Sequence, residues 1–472
     1  MIFLKKRWKF LICTLVVVLV YAGLICIPYT HQGVVTEQTK QSFSLSDFYS
    51  DSTGNEQARI LMDNEDALEA RIRLIAGASD KIILSTFEFR DDNSGQKMIA
   101  ALYDAARRGV DIQILTDGIP YVKSMLGNSD FQALGCLDNV TIKVYNPVNL
   151  LKPAKLMARL HDKYLIVDEK AYILGGRNTY DYFLGDETNY KNYDWDIYVT
   201  TTNGQAPESL KSLNDYFLSV WNLSDSQVVM SKSSGFGVRR QDVNESASKL
   251  KKLYAKIEQT DWIHGEEPAM IPVNKITLLS NPIHASVKEP VLFYQMTELM
   301  KETEGDVTFH TPYILCNDYM LDRLTQICDS DKSVYMMTNS VANNGNPFGA
   351  TDYELRKQDV LDTGVQVLEY DKGVSYHGKC FTIGDDLLAI GSFNWDMRSA
   401  YLDTELMLVI DSPNLNRQMK DCMEEYQKDA LKVIDKNSYA LKDGQKPRVI
   451  SKKRKLRKNL LKPVDGIFRF LF

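Results

Sequence analysis

Two stretches of this chain repeat each other in register, and that repeat constrains the fold more than any other feature. The segment from His161 reads HDKYLIVDEKAYILGGRN, and the segment from His377 reads HGKCFTIGDDLLAIGSFN. His161 and His377 lie 216 positions apart, as do Lys163 and Lys379, Gly175 and Gly391, and Asn178 and Asn394. Upstream, FEFRDDNSG is echoed by HTPYILCND; downstream, Asp196-Ile-Tyr-Val aligns with Glu405-Leu-Met-Leu. A duplicated unit of roughly 180–200 residues is domain-sized. The simplest architecture is two similar domains packed face to face, with the repeated motifs meeting between them.

Within each unit, short β-rich runs alternate with amphipathic helical stretches. Ile82–Phe89 reads as a strand, Ser94 as the N-cap of the helix that follows, and Val110–Leu115 as the next strand after Gly109. This alternation favours an α/β fold, each domain a central mixed sheet flanked by helices. The 472 residues, 44% hydrophobic and 25% charged, supply enough apolar material for two cores. A net charge of -6 gives no reason to expect a nucleic-acid binder. The seven cysteines form no C-x-x-C pair, so neither a zinc site nor a disulfide framework is read from them.

The two ends differ in character from the middle. Lys5, Lys6, Arg7 and Lys9 precede an 18-residue apolar run, Phe10–Ile27, near the length that crosses a bilayer. No small-residue cleavage site closes the run, so an uncleaved anchor is favoured over a cleaved signal peptide. The basic flank places the N-terminus in the cytoplasm and the rest of the chain outside the cell membrane. Domains are therefore expected at 1–30 (anchor), 31–55 (polar linker), 56–235 and 236–445 (the repeats), and 446–472 (basic amphipathic tail). The tail carries KKRKLRK and ends FRFLF. It reads either as a solvated basic end or as a membrane-surface segment with Phe468, Phe470, Leu471 and Phe472 at the lipid boundary.

The residue types of the repeat fit phosphoryl chemistry. An imidazole serves as nucleophile or as general acid and base near neutral pH. In a strand, a lysine two positions after a histidine projects to the same face. His161 with Lys163 and His377 with Lys379 would then converge with the amides of Asn178 and Asn394 around one anion, stabilising the oxygens of a phosphoryl group. Of the other histidines, 31, 264 and 284 lack this context, and His310 is a candidate to line the pocket.

On these residues the chain resembles the phospholipase D superfamily, whose mark is two H-x-K-x4-D motifs, and within it the bacterial cardiolipin synthases. The stretches LYDAARRGVDIQILTD, RLHDKYLIVDEKAYILGGRN, MTNSVANN and GSFNWDMRSAYLDTE carry the resemblance, which spans about residues 56–430. It implies a ping-pong reaction. One histidine attacks the phosphorus of a donor phospholipid; the other protonates the leaving alcohol and then deprotonates the acceptor. It further implies His161 as nucleophile, His377 as acid and base, and Lys163, Lys379, Asn178 and Asn394 as phosphate ligands. Glu405 and its counterpart Asp196 would orient the imidazoles, and no metal or other cofactor is implied. Asp168 completes the first motif. In the second, Gly384 stands at that position, with Asp385 one place later as a possible substitute. The implied activity is cardiolipin synthesis from phosphatidylglycerol and a second phospholipid. Alternatives are an anchored phospholipase D making phosphatidic acid, a phosphodiesterase or nuclease, and an inactive membrane-binding scaffold.

Overall fold

The computed structural model describes residues 2–230, 238–266 and 268–472, with backbone alone for residues 2–9. Two nine-stranded mixed sheets dominate it. The first runs in the order Ile271–Pro272, Glu56–Leu61, Asp196–Thr201, Ala171–Gly175, Tyr164–Val167, Lys81–Thr86, Asp111–Asp117, Val140–Tyr145 and Ser226–Met230. The second runs Lys275–Ser280, Leu406–Asp411, Leu387–Gly391, Cys380–Ile383, Val307–His310, Val334–Asn339, Gln366–Tyr370, Ala430–Asp435 and Ser438–Ala440. Eight strands follow the same order in both sheets, so the sequence repeat is a structural one.

The inner strands read as near-continuous apolar runs because both faces are covered. Every residue of Tyr164–Val167 and of Leu387–Gly391 is buried. Helices cover the outer face of each sheet. The helices Glu208–Trp221 and Pro413–Gln427 join the inner faces in a shared core that takes Ile197, Val199, Leu388, Ile390 and Leu408 from the two repeats. Each such side chain is wholly buried and contributes about 1.5–3 kcal/mol, enough in sum to hold the domains face to face.

Local detail departs from the sequence reading in several places. The helix expected to start on Ser94 is Asn93–Arg107, and its N-cap is Asp92, whose carboxylate accepts from Gly95 N. The Ser94 hydroxyl instead donates to the Leu184 carbonyl. The expected division at 235/236 lies outside the described residues. Beyond it, the helix Arg240–Ile257 buries Leu250, Tyr254 and Ile257 in the first domain's core, and Ile271–Pro272 pairs with the first sheet. Residues 31–55 lie on the second domain rather than extending from it. Phe48 enters that domain's core, Thr39 donates to Glu289, and Ser50 N donates to Asp411. Scattered apolar side chains in a polar stretch were enough to dock it.

The segment Phe10–Tyr29, which begins in the N-terminal helix Ile2–Cys26 and runs through the short turn Ile27–Tyr29, is long and apolar enough to cross a membrane. The tail forms the helix Lys452–Phe468 against the second domain. Its terminal aromatics are not free for lipid. Leu471 is buried, and Phe472 stacks on Phe348 at 3.9 Å. The apolar residues that the helix exposes are Leu456, Leu460, Val464 and Ile467.

Candidate active site

The two H-x-K segments lie just before strands rather than inside them, and each is stitched to the opposite repeat. His161 N donates to the Thr404 carbonyl at 3.2 Å, and Leu160 bridges Thr404 in parallel. In the mirror position His377 N donates to the Tyr193 carbonyl at 2.7 Å, where Ser375–Tyr376 pairs in parallel with Asn192–Tyr193. These crossed bridges bring both histidines to the domain boundary. Lys163 and Lys379 share the histidines' location because each ammonium turns back onto the carbonyl of its own histidine, Lys163 on His161 and Lys379 on His377.

Each imidazole is held by an acid of the other repeat. His161 Nδ1 lies 2.8 Å from Glu405 Oε1, and His377 Nδ1 lies 2.6 Å from Asp194 Oδ2. With Nδ1–H given to an acid oxygen, Nε2 is left without a hydrogen-bond partner among the described residues, a tautomer assigned from the partner. Asp196, expected to do this for the first repeat, does not. It is wholly buried against Arg71 (2.8 Å) and Arg177 (3.2 Å) and braces the fold. Sheet register explains the error. Gly175 pairs with Asp196 and Gly391 with Met407, so the true counterpart of Glu405 is Asp194, two residues earlier. A slip of two preserves strand face, so side-chain alternation gives no warning of it. The only available signal was a second acid in Asp194-Trp195-Asp196. Gly176 makes room for it: a Cβ there would lie 2.2 Å from Asp194 Oδ1.

The two pairs are electrostatically unequal. Burial alone would raise Asp194, but Lys379, at 3.2 Å, together with His377 and Arg177 holds it down to about 2. Burial pushes Glu405 up to about 8, against the pull of Lys163 and of the Ser392 and Ser399 hydroxyls that donate to it. These serines flank Asn394, and their part in the site was not read from sequence. Burial, Lys379 and Lys163 lower His377 to about 4 against Asp194, which favours the imidazolium. His161 is lowered too, by burial and then by Lys163 and Lys379. Burial brings Lys163 down to about 8. Both imidazoles are thus neutral at rest and set among cations.

The asparagines follow the glycine ends of the matching strands Ala171–Gly175 and Leu387–Gly391. Asn178 uses its carbonyl oxygen to accept from Glu88 N at 3.3 Å, leaving its NH2 to donate. The Asn394 side chain has no hydrogen-bond partner among the described residues, although it is buried. Phe87 packs edge-on to His161 at 5.4 Å, and Phe183 and Tyr313 pack on His377 at 5.0 and 6.0 Å. The imidazoles remain 13% and 12% exposed. His310 is not in the cleft; it is buried beside the Tyr376 hydroxyl (3.0 Å) and Gln427.

Asp168 is remote from the imidazoles' partners. It sits in the hairpin turn at φ 52° and accepts from Ser79 N, Ser79 Oγ, Asp80 N and Lys81 N. It is a clasp for a neighbouring turn. Gly384 takes the same left-handed conformation, φ 50°, but a Cβ there would meet the Glu304 carbonyl at 2.6 Å. The second repeat thus has no room for the aspartate. Asp385 does not replace it: it is solvent-exposed and pairs with Lys420 at 2.8 Å.

The chain itself matches the model of the family described as cardiolipin synthase, PLD-like domain, over residues 72–221 and 296–427, which contain both histidines. The chain belongs to this family. It is 25% identical to cardiolipin synthase C of Escherichia coli K12 over 390 residues, 74% of this chain and 80% of that one. It is 24% identical to a cardiolipin synthase of Clostridium perfringens SM101 over 405 residues, 83% and 74% of the two chains. An uncharacterised Helicobacter pylori 26695 protein is 24% identical over 424 residues, 80% and 81%. The fold is that of phosphatidylserine synthase from Haemophilus influenzae Rd KW20, with a TM-score of 0.65 at 16% identity, covering 92% of this chain and 99% of that one. The chain is therefore an enzyme of the phospholipase D superfamily, and its apolar N-terminal helix is consistent with membrane association.

Proposed function

We propose that this enzyme transfers a phosphatidyl group from one phospholipid to the headgroup hydroxyl of phosphatidylglycerol, making cardiolipin. The observation that carries the reading is the crossed pairing of His161 with Glu405 and His377 with Asp194. His161 Nε2 attacks phosphorus as the P–O bond to the donor headgroup breaks, and that oxygen takes its proton from His377. The acceptor hydroxyl then gives its proton back to His377 and attacks phosphorus, and the bond to His161 breaks. Lys163, Lys379, Asn178 and Asn394 hold the phosphate oxygens as charge shifts among them.

The unequal acids support this division of roles. The imidazolium forms best where a carboxylate is held ionised, beside Asp194. A neutral nucleophile suits His161, whose partner Glu405 is pushed towards its protonated form. The phosphate anion of a bound lipid offsets the two lysines and favours the protonated His377 that the first step requires. The basic residues before the apolar helix favour a cytoplasmic N-terminus, with the catalytic domains on the outer side.

The test is direct. Purified full-length protein is incubated in detergent with phosphatidylglycerol, and the lipids are resolved by mass spectrometry. Cardiolipin and glycerol are expected, and H161A or H377A abolishes both. Phosphatidic acid as the sole product would replace the transferase by a hydrolase. No product from an intact, folded protein would reject both.

A further inference from the structure

The tail helix does more than cover the second domain. Between it and the helix Pro347–Asp362 lies a cavity of about 210 Å³. Lys453, Arg454, Arg457 and Lys458 line one side, and Asn344 and Thr351 lie on the other. No carboxylate is among the lining residues. The N-terminal turn of Pro347–Asp362, the positive end of its dipole, also faces the cavity.

These cations are not all spent on the fold. Lys458 pairs with Glu354 at 2.7 Å, and Arg454 Nη1 donates to the Asn344 carbonyl at 2.6 Å. The side chains of Lys453 and Arg457 make no ion pair or hydrogen bond among the described residues. The helix itself is firmly seated, by the Arg469 pair with the buried Asp352 (2.9 Å) and by Phe472 on Phe348. A concavity with two unpaired cations and no carboxylate in its lining concentrates an anion.

Two neighbours indicate which anion. The same helix exposes Leu456 and Leu460, 63% and 65% accessible, beside Lys453 and Arg457. The chain leaving the apolar N-terminal helix meets the end of the tail, where Gln32 donates to the Phe470 carbonyl at 2.7 Å. The cavity is smaller than pockets that enclose whole drug-sized ligands, about 300–1,000 Å³. It suits a phosphate headgroup whose acyl chains run outside, over the leucines. It also lies beside the His377 segment: a Cβ on Gly345, which lines it, would lie 3.2 Å from Ser375 Oγ, two residues before His377.

We propose that this cavity is a second lipid site, binding the phosphodiester of an anionic phospholipid on the His377 side of the cleft. The choice of a phospholipid over another phosphate ester rests on the proposed transferase reading; the site itself is tested without turnover. Full-length protein carrying H161A, in neutral detergent, is irradiated with a photoreactive short-chain phosphatidylglycerol, and labelled peptides are mapped by mass spectrometry. Label is expected on the segments 344–351 and 451–458. It should fall at least tenfold in K453E/R457E, which alters exposed residues without fold contacts. It should fall equally in A350F, which fills the cavity and leaves every charge. Label on peptides of the cleft should persist in both. Absence of label from the two segments would overturn the proposal, as would unchanged labelling in K453E/R457E. Equal labelling by a phosphatidylcholine probe, or loss of label to an equal concentration of inorganic phosphate, would also overturn it. Loss of transfer activity in the wild type with this labelling intact would count against the transferase reading alone.

Discussion

Asp194→Asn is the sharpest perturbation of the site. The side chain is buried, nearly isosteric with its replacement, and 2.6 Å from His377 Nδ1. What the change removes is a charge opposite the imidazolium that forms during each transfer. With charge centres about 4 Å apart and an effective dielectric near 20, that charge is worth about 4 kcal/mol. At 1.36 kcal/mol per tenfold, kcat falls by about 10³. KM rises as well, because Lys379 loses its 3.2 Å partner in Asp194, but the diagnostic loss is in kcat. The assay is steady-state cardiolipin formation in mixed micelles, with thermal unfolding as the control for folding. Asp196→Asn gives the opposite pattern. It unpairs the buried Arg71 and Arg177, costs about 3–5 kcal/mol of stability, and lowers Tm by on the order of 10 °C. Correctly folded D194N with kcat within tenfold of wild type would refute the assignment of Asp194 to His377. So would D196N that keeps its Tm but loses turnover a thousandfold.

The remaining expectations are smaller in scale. Glu405→Gln should slow turnover at pH 7 at least tenfold less than Asp194→Asn, because burial raises Glu405 to about 8 and Gln preserves its shape; equal losses would show the two acids to be equivalent. Gly384→Asp should cost about 1–3 kcal/mol through its clash with the Glu304 carbonyl, read by chemical denaturation; a neutral or stabilising effect would show that the turn has room. Asp168→Asn should lower stability by about 1–2 kcal/mol through its lost turn bonds, with kcat unchanged; a catalytic defect without loss of stability would return it to the active site. His377 is lowered to about 4, so the unfolded chain takes up its proton first as pH falls below 6.5, and stability drops between pH 6.5 and 4. His377→Gln should flatten that part of the stability curve, and an unaltered slope would contradict the neutral resting imidazole.

The sequence made the architecture legible because the repeat carries it. Two copies of one motif in register allow few arrangements other than facing domains, and the matched strand orders follow. His161, Lys163, His377 and Lys379 were legible for the same reason. The orienting acid of the first repeat was not, because a two-residue slip leaves Asp196 on the correct strand face while the contact belongs to Asp194. The crossing of acids between domains has no local signature: Thr404 and Tyr193 supply carbonyls, which every residue has. Asp168 looked catalytic by its place in a motif, whereas its hydrogen bonds run to the turn at 79–81. The tail's terminal aromatics looked exposed because their partner, Phe348, lies 124 positions earlier in the chain. Long-range contacts of this kind leave no periodicity to read.

The central claim is that the phosphatidyl group rests on a histidine between donor and acceptor. Wild-type protein turning over a labelled phosphatidylglycerol is quenched rapidly in alkali, where a phosphohistidine survives, and digested for tandem mass spectrometry. The account predicts a phosphatidyl adduct on His161, formed and consumed at the rate of cardiolipin production and absent from H161A. An adduct on His377 would reverse the two roles, and full turnover without any histidine adduct would contradict the mechanism.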